Sequence, residues 1–291
     1  MKVNIISKDN SVGLSQDIQI VSELIKSLGW QVQFIDYQSN QFKKADINIF
    51  LELLEKKFIP YASKNVIIPN PEWFYNEWKR FIPYMDMVIC KTVNCYEIFR
   101  KYTSRIAYTS FTSRDMYSSD VERQREFLHL AGLSSHKNTS AVIECWNNPL
   151  PTLHFVKQEP FRGMPNVIHY DRIEDVGYIM NKCLFHLCPS EYEGFGHYLN
   201  EARSCGAVII TTDAPPMNEM SNGFFIKPHK TYYHNDGLCN KIRSIDLLNA
   251  VNEVLSLSEA EIKNIQESTR QEFLDNDLFF RNQFIQIIKE L

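Results

Sequence analysis

The chain has 291 residues, 44% hydrophobic and 13% aromatic, a composition that fills globular cores and excludes a disordered or fibrous protein. Its net charge of -4 argues against a nucleic-acid binder working through a broad basic surface. The seven cysteines are scattered without a CxxC pair and most lie in apolar runs, which reads as reduced thiols of a cytoplasmic protein rather than a disulfide frame or zinc site.

Length alone predicts two domains at roughly 100–200 residues each. The opening "MKVNIIS" has no signal-peptide core, and no apolar run reaches the ~20 residues that span a bilayer. Charge is uneven. Residues 1–120 hold 15 basic against 13 acidic side chains (+2), and the rest 16 against 22 (-6).

Taken in order, "VNIIS" is a β-branched strand, and Ile18, Val21, Leu24, Ile25 and Leu28 keep helical spacing after it. Ser15 is the predicted N-cap of that helix and Gly29 its stop. "WQVQFIDY", "INIFLELL" and "NVII" read as strands. "NPEWFYNEWKRF" reads as a helix with Asn70 as cap and Pro71 at its first position. "MVICK" is a strand, "TVNCYEIFRKY" a helix capped by Thr92, and "RIAYTSF" closes the series. Alternating strands and helices predict a parallel sheet.

The polar stretch 112–125 reads as a linker. A second α/β series follows: strand "FLHLAG", helix "NTSAVIECWNN", strands "TLHFVK" and "NVIHY", helix "IEDVGYIMNKC" and strand "LFHLCPS". Helix "GHYLNEARSCG" and strands "AVIITTD" and "GFFIK" come next, and three helices finish the chain, with Ser258 and Glu261 as a capping box. The predicted division is 1–118, 119–276 and a terminal helix 277–291 carrying the apolar stripe Phe279, Phe280, Phe284, Ile287 and Ile288.

The chemistry concentrates in "EGFGHYLNE", residues 193–201. A buried strand runs into a glycine-bearing loop and a helix begins near Gly196–His197. Glu193 therefore lies at the helix mouth, with Glu201 roughly 7 Å further along by helical rise. Gly194 and Gly196 allow close backbone approach or positive φ. The helix start offers amide hydrogens and the positive end of its dipole to a phosphate. An acid inside that helix suits a ribose diol. His197 and Glu201, four apart, lack a third ligand at metal-binding spacing and read as helix-surface or sugar-facing groups.

The segment "PSEYEGFGHYLNEA…GAVIITTDAPPMNE" resembles the C-terminal half of GT-B glycosyltransferases of the large retaining group called family 4, whose signature is E-x7-E. The resemblance spans roughly residues 126–223 and includes "FLHLAGLSSHKNT", similar to the group's phosphate-binding turn. It implies an α/β chain of GT-B fold: two Rossmann-like parallel-sheet domains facing a central cleft, with a C-terminal helix returning to the first. It implies a metal-independent transferase that uses a nucleotide-diphosphate sugar, UDP- or GDP-linked, and needs no cofactor. Glu193 would contact the transferred sugar and Glu201 the ribose, with the backbone from Gly194 through Phe195, Gly196 and His197 around sugar and phosphate. Lys137 would contact the diphosphate. Gly132 stands where many members have an arginine, which leaves that role to Arg172 or the helix dipole. Tyr170 and Arg172 are candidates for the base.

The first half matches only in layout and holds no histidine. Its acceptor-side candidates are Gly13, Asn70, Glu72, Lys91 and Thr112. The expected acceptor is a glycan or other hydroxyl compound. The aromatic segment 73–84 is read as core first, with an acceptor platform or peripheral membrane contact as the other readings. Alternatives for the whole are a sugar-nucleotide epimerase, a non-enzymatic sugar-nucleotide binder and a DNA-base glycosyltransferase.

Overall fold

The computed structural model describes residues 1–291. It divides into a first unit of Met1–Ser113, His234–Gly237 and Asn276–Leu291, and a second of Arg114–Tyr233 and Leu238–Asp275.

The first unit begins with β1 (Lys2–Ser7), α1 (Gly13–Ser27), β2 (Gln31–Asp36), β3 (Ala45–Leu51), β4 (Ala62–Ile68), β5 (Met87–Cys90), α2 (Val93–Phe99) and β6 (Ile106–Tyr108). Its strands form one sheet in the order β2-β1-β3-β4-β5-β6, every pair parallel. The chain steps from β1 to β2 on one side and resumes with β3 on the other. The switch point thus lies between β1 and β3, where open α/β sheets bind ligands beyond their strand ends.

A polar ladder crosses this sheet. Gln33 donates to Asn4, Asn4 Nδ2 to Asn48 Oδ1 at 2.9 Å, and Asn48 Nδ2 to Asn65 Oδ1 at 3.0 Å. Asn4, Asn48 and Asn65 are buried. Burying amides costs little only when their groups are bonded, and the parallel register β1–β3–β4 sets these amides side by side.

α1 starts at Gly13 after Val12, with no side-chain cap, so Ser15 lies inside its first turn and donates instead to Asp9. Gly29 ends the helix at φ +75°. Thr92 caps α2 by accepting from the Cys95 amide at 3.0 Å. The expected helix over 70–84 is two 3-10 segments, Pro71–Trp73 and Asn76–Tyr84. Pro83 falls inside the second; a proline has no amide to donate and crowds the preceding turn of an α-helix. Phe74 and Ile82 are core there, while Trp73, Tyr75 and Tyr84 are exposed.

The second unit holds β7 (Gln124–Gly132), α3 (Thr139–Cys145), β8 (Leu153–Lys157), β9 (Val167–Tyr170), α4 (Val176–Lys182), β10 (Cys183–Cys188), α5 (His197–Ser204), β11 (Val208–Thr212) and β12 (Phe224–Ile226). These strands order as β12-β11-β10-β7-β8-β9, again all parallel. Its switch point lies between β7 and β10. A ribbon follows, β13 (Lys230–His234) and β14 (Gly237–Lys241), which the sequence reading missed. Asn235 at φ +51° makes its turn.

α6 (Ser244–Leu255) and α7 (Glu259–Glu290) end the chain. Two helices stand where three were expected, because no Gly or Pro interrupts the 32 residues of α7. The capping box forms: the Ser258 amide donates to Glu261 at 2.8 Å and the Glu261 amide to Ser258 Oγ at 3.3 Å. From Asn276 onward α7 belongs to the first unit. There Asn276 Nδ2 donates to the Phe111 carbonyl at 2.7 Å, and the Phe280 ring lies 4.6 Å from that of Phe111. The buried face is Phe280, Phe284 and Ile288, at i, i+4 and i+8; Phe279 is exposed.

No helix is long and apolar enough to cross a membrane. All seven cysteines are buried thiols outside any disulfide.

Candidate active site

In the second unit the C-terminal ends of β7 and β10 are neighbours, so the loops after them meet. The β7 loop turns at Gly132 (φ +55°) and enters α3 through Asn138 in the left-handed region (φ +48°). Asn138, fully enclosed, donates to the carbonyls of Pro189 and Asn240, each at 2.9 Å. The Glu191 amide donates to the His136 carbonyl at 2.9 Å. These bonds join residues 132–138 to residues 189–196 before any side chain at the mouth is counted.

That joining delivers Lys137 to Glu193. The ammonium donates to Glu193 Oε1 and stands 3.5 Å from the centroid of the Tyr198 ring. Ser190 Oγ also donates to Glu193 Oε1 and lies 2.7 Å from Tyr198 Oη. Burial raises the Tyr198 phenol well above its ordinary value, so it stays protonated.

Gly196 is the N-cap of α5 at φ +91°. A Cβ there would lie 3.2 Å from Met220 Cε and 3.3 Å from Glu193 Cγ. The positive φ is what favours glycine here, while a Cβ would press on two flexible side chains. The first intrahelical bonds run from Leu199 and Asn200 back to the Gly196 carbonyl at 3.0 and 3.1 Å. The amides that precede them have no intrahelical acceptor and point out of the helix start. Gly194 and Phe195 are buried under this bend, His197 is half-buried at the first helical position with its ring 5.4 Å from Phe195, and Glu201 is half-buried one turn on.

The structure adds residues that the sequence reading missed. Glu191, fully buried, accepts from Tyr232 Oη at 2.8 Å, from Lys241 Nζ and, at 3.4 Å, faces His136 Nδ1. It ties β13 and β14 to the signature loop. Lys157, at the end of β8, donates to the Ser134 carbonyl at 3.4 Å and pairs with Glu159 at 3.1 Å. His129 bridges the Leu187 carbonyl and Thr139 Oγ1, each at 3.1 Å, and burial lowers its pKa to about 4. Its neutral ring is a strut. Only "SEYE" carried a signal for Glu191, as a second acid beside the signature glutamate.

Arg172 is exposed and, with Gln158, Glu159, Pro160 and Asp171, lines a cavity of about 500 Å³ beyond β8 and β9. Tyr170 behaves differently. Its hydroxyl pairs with His154 Nδ1 at 2.9 Å, and His154 Nε2 pairs with Glu126 at 2.8 Å, near the strand starts and at the edge opposite Glu193. His169 is held by the Lys157 carbonyl at 2.8 Å. Asn218 lies inside the 3-10 turn Met217–Met220 and donates to Asp213 at 3.1 Å.

Glu126, His154 and Cys183 bring one ligand atom each within 4.8 Å of one another, the one such grouping in the chain. Lys182 Nζ stands 2.9 Å from Glu126, and burial with the adjacent Glu126 pushes the Cys183 thiol up to about 12. Burial opposes the charge on Glu126, but the Lys182 and His154 hydrogen bonds outweigh it and hold its pKa below the ordinary value, so the carboxylate is already paired while the Cys183 thiol keeps its proton.

In the first unit the acceptor-side candidates sit mostly inside the protein. Gly13 opens α1. Lys91 is buried against the Asp17 carboxylate and stands 4.7 Å from the Phe111 ring centroid. Thr112 is buried, and Glu72 is buried with its carbonyl accepting from Asn235 at 2.7 Å and His234 at 3.1 Å. Asn70 is buried after β4 and donates to Glu52 at 2.6 Å, while its Oδ1 has no partner. Glu52 follows β3 at the switch point with φ +65°, and burial raises its pKa against the Asn70 bond and Lys91. This carboxyl was not among the sequence candidates.

Residues 159–270 match the family described as glycosyl transferases group 1. No curated protein matches the sequence. Among solved structures, Anabaena Alr3699/HepE in complex with UDP and glucose is 15% identical over 100% of both chains, with a TM-score of 0.72. Sucrose-phosphate synthase from Thermosynechococcus elongatus is 11% identical over 100% of this chain and 98% of that one, with a TM-score of 0.77. A glycosyltransferase from Rickettsia africae is 14% identical over 99% and 98%, with a TM-score of 0.76. The chain thus has the GT-B fold, two Rossmann-like units, with the family match lying in the unit that carries Glu193.

Proposed function

Taking the chain as a glycosyltransferase on its fold and on the match over residues 159–270, we propose that it moves a sugar from a nucleotide-diphosphate donor to an acceptor hydroxyl, with retention at the anomeric carbon and without a metal. The observation that carries this reading is the Lys137–Glu193 pair at the mouth of α5. The Lys137 ammonium and the amides of a helix start gather positive charge where a diphosphate would depart. Such preorganised charge is worth most when it meets charge developing in the transition state.

In this reading the bond from the sugar's anomeric carbon to the diphosphate oxygen breaks as the acceptor oxygen bonds to the same face. The acceptor's proton passes to the departing phosphate oxygen. Lys137 exchanges Glu193 for the diphosphate, Glu193 turns to the sugar hydroxyls, and Glu201 takes the ribose. Arg172 borders the cavity beyond β9 and serves the base. Asn70 and Glu52 are the acceptor-side pair, since the unpartnered Asn70 oxygen calls for a donor such as a hydroxyl. UDP is the first nucleotide to try, because HepE was solved with it. The buried thiols suit a cytoplasmic setting.

The test is release of free UDP or GDP from the corresponding sugar donors by wild-type, Glu193→Ala and Glu201→Ala proteins, with chelator present. The reading expects chelator-resistant turnover in wild type and losses in both variants; unaltered rates in both would remove the site. An epimerase would convert the donor sugar without releasing nucleotide diphosphate.

A further inference from the structure

The sheet of the first unit has a second feature at the opposite edge, where its strands begin. A cavity of about 690 Å³ opens there, lined among others by Lys2 at the start of β1, Lys26 at the end of α1, Trp30, Gln33 on β2, and Lys43 and Lys44 before β3. Its size falls within the roughly 300–1,000 Å³ typical of small-molecule sites. Four lysines from three separate segments line this concavity, and no acidic residue does. None of the four is in an ion pair; Asp46, just beyond Lys44, accepts the Lys2 backbone amide at 2.7 Å.

The walls are fixed. Gln33 is bonded to Asn4, and Asn4 Nδ2 holds the Lys43 carbonyl at 2.8 Å, so the polar ladder of the sheet ends in the cavity wall. β2 is an edge strand, which leaves this side open to solvent. The chain as a whole is acidic, at -4, yet here positive charge is concentrated in a concave surface that focuses its field. Several lysines elsewhere have acidic partners, as Lys64 has Asp86, Lys79 Asp236, Lys91 Asp17 and Lys182 Glu126.

We propose that this cavity binds a phosphate-bearing ligand, with Lys2, Lys26, Lys43 and Lys44 around the phosphate and Trp30 against the organic part it carries. Lysines hold phosphate as point charges and need no single fixed geometry. The ligand chemistry is shared by a soluble phosphorylated compound and by an anionic phospholipid headgroup. The site is separate from the Lys137 edge and does not depend on the transfer reaction.

The experiment is calorimetric titration with pyrophosphate in a Lys137→Ala background, which removes the ammonium of the β7 loop. Lys26→Glu with Lys44→Glu is compared with a charge-matched control, Lys263→Glu with Lys289→Glu, both exposed on α7. Co-sedimentation with phosphatidylcholine vesicles, with and without phosphatidylglycerol, forms the second arm. The cavity pair should weaken binding by about tenfold or more, as charge-assisted bonds are lost, while the control keeps it. Loss of pyrophosphate binding alone assigns a soluble ligand, and loss of phosphatidylglycerol-dependent sedimentation assigns a headgroup. Binding by neither probe, equal binding by the cavity pair, or equal weakening in the control overturns the proposal. Lys26→Gln with Lys44→Gln serves if the reversed charges impair folding.

Discussion

Two lysine–carboxylate pairs stand at strand ends in the two units and have opposite consequences. Lys91 and Asp17 in the first unit have side chains only 2% and 3% exposed. Lys137 and Glu193 in the second are 12% and 17% exposed, beside a glycine bend and a helix start. Sequence places both lysines after a buried strand and gives no way to rank them. Burial ranks them: a sealed pair cannot exchange its partner for a ligand, whereas a pair at a mouth can. The first is part of the fold and the second is the proposed site.

The largest effect expected from this contrast is on stability in the first unit. Lys91→Ala leaves the Asp17 carboxylate buried without its ammonium and should cost about 3–5 kcal/mol, read from the midpoint of urea unfolding. A double change, Lys91→Met with Asp17→Leu, should cost much less, because no orphaned charge remains. In the second unit the same truncation should act on function. Lys137→Ala should lower kcat/KM by about 100-fold or more and shift stability by less than about 1 kcal/mol. Equal stability losses in Lys91→Ala and Lys137→Ala would erase the distinction.

Acid sharpens the comparison next. The first unit holds a single histidine, His234, while His129 and His186 are buried in the second with pKa values lowered to about 4 by burial. These rings stay neutral in the fold, whereas the unfolded chain takes up their protons near pH 6.5. Their contribution is whole above pH 6.5 and is lost as pH falls from there toward 4, on the order of 3 kcal/mol for each ring. The melting temperature should therefore fall over that window, and His129→Gln should flatten the fall. The smallest effect is expected for Glu201→Ala, about a tenfold rise in donor KM with kcat less altered, matching one lost hydrogen bond to a charged group.

Periodicity made most of the α/β order legible, because buried parallel strands leave short β-branched runs and their helices leave apolar stripes. It failed where local chemistry departs from period. The segment around Trp73 and Trp78 looked helical from its cap and aromatics, but it forms two 3-10 segments, with Pro83 crowding the end of the second. The ribbon β13–β14 has exposed strands without an apolar run, and only "HNDG" announced its turn. At the candidate site, the placing of Glu193 and Gly196 at the start of α5, with Glu201 one turn on, was readable because spacing and glycine carry it. Glu52, Asn138 and Glu191 were not: their importance lies in contacts 18, 51 and 50 residues away in sequence, with Asn70, Pro189 and Lys241.

The central claim is that Lys137 and the start of α5 receive a nucleotide diphosphate. The direct test is the melting temperature of wild-type and Lys137→Ala proteins with UDP-glucose, GDP-mannose, ADP-glucose and a CMP-sugar, since a ligand that binds only the folded form raises it. The account predicts a rise in wild type with a UDP- or GDP-linked sugar and little or none in Lys137→Ala. No rise with any donor, or the same rise in both proteins, would contradict it.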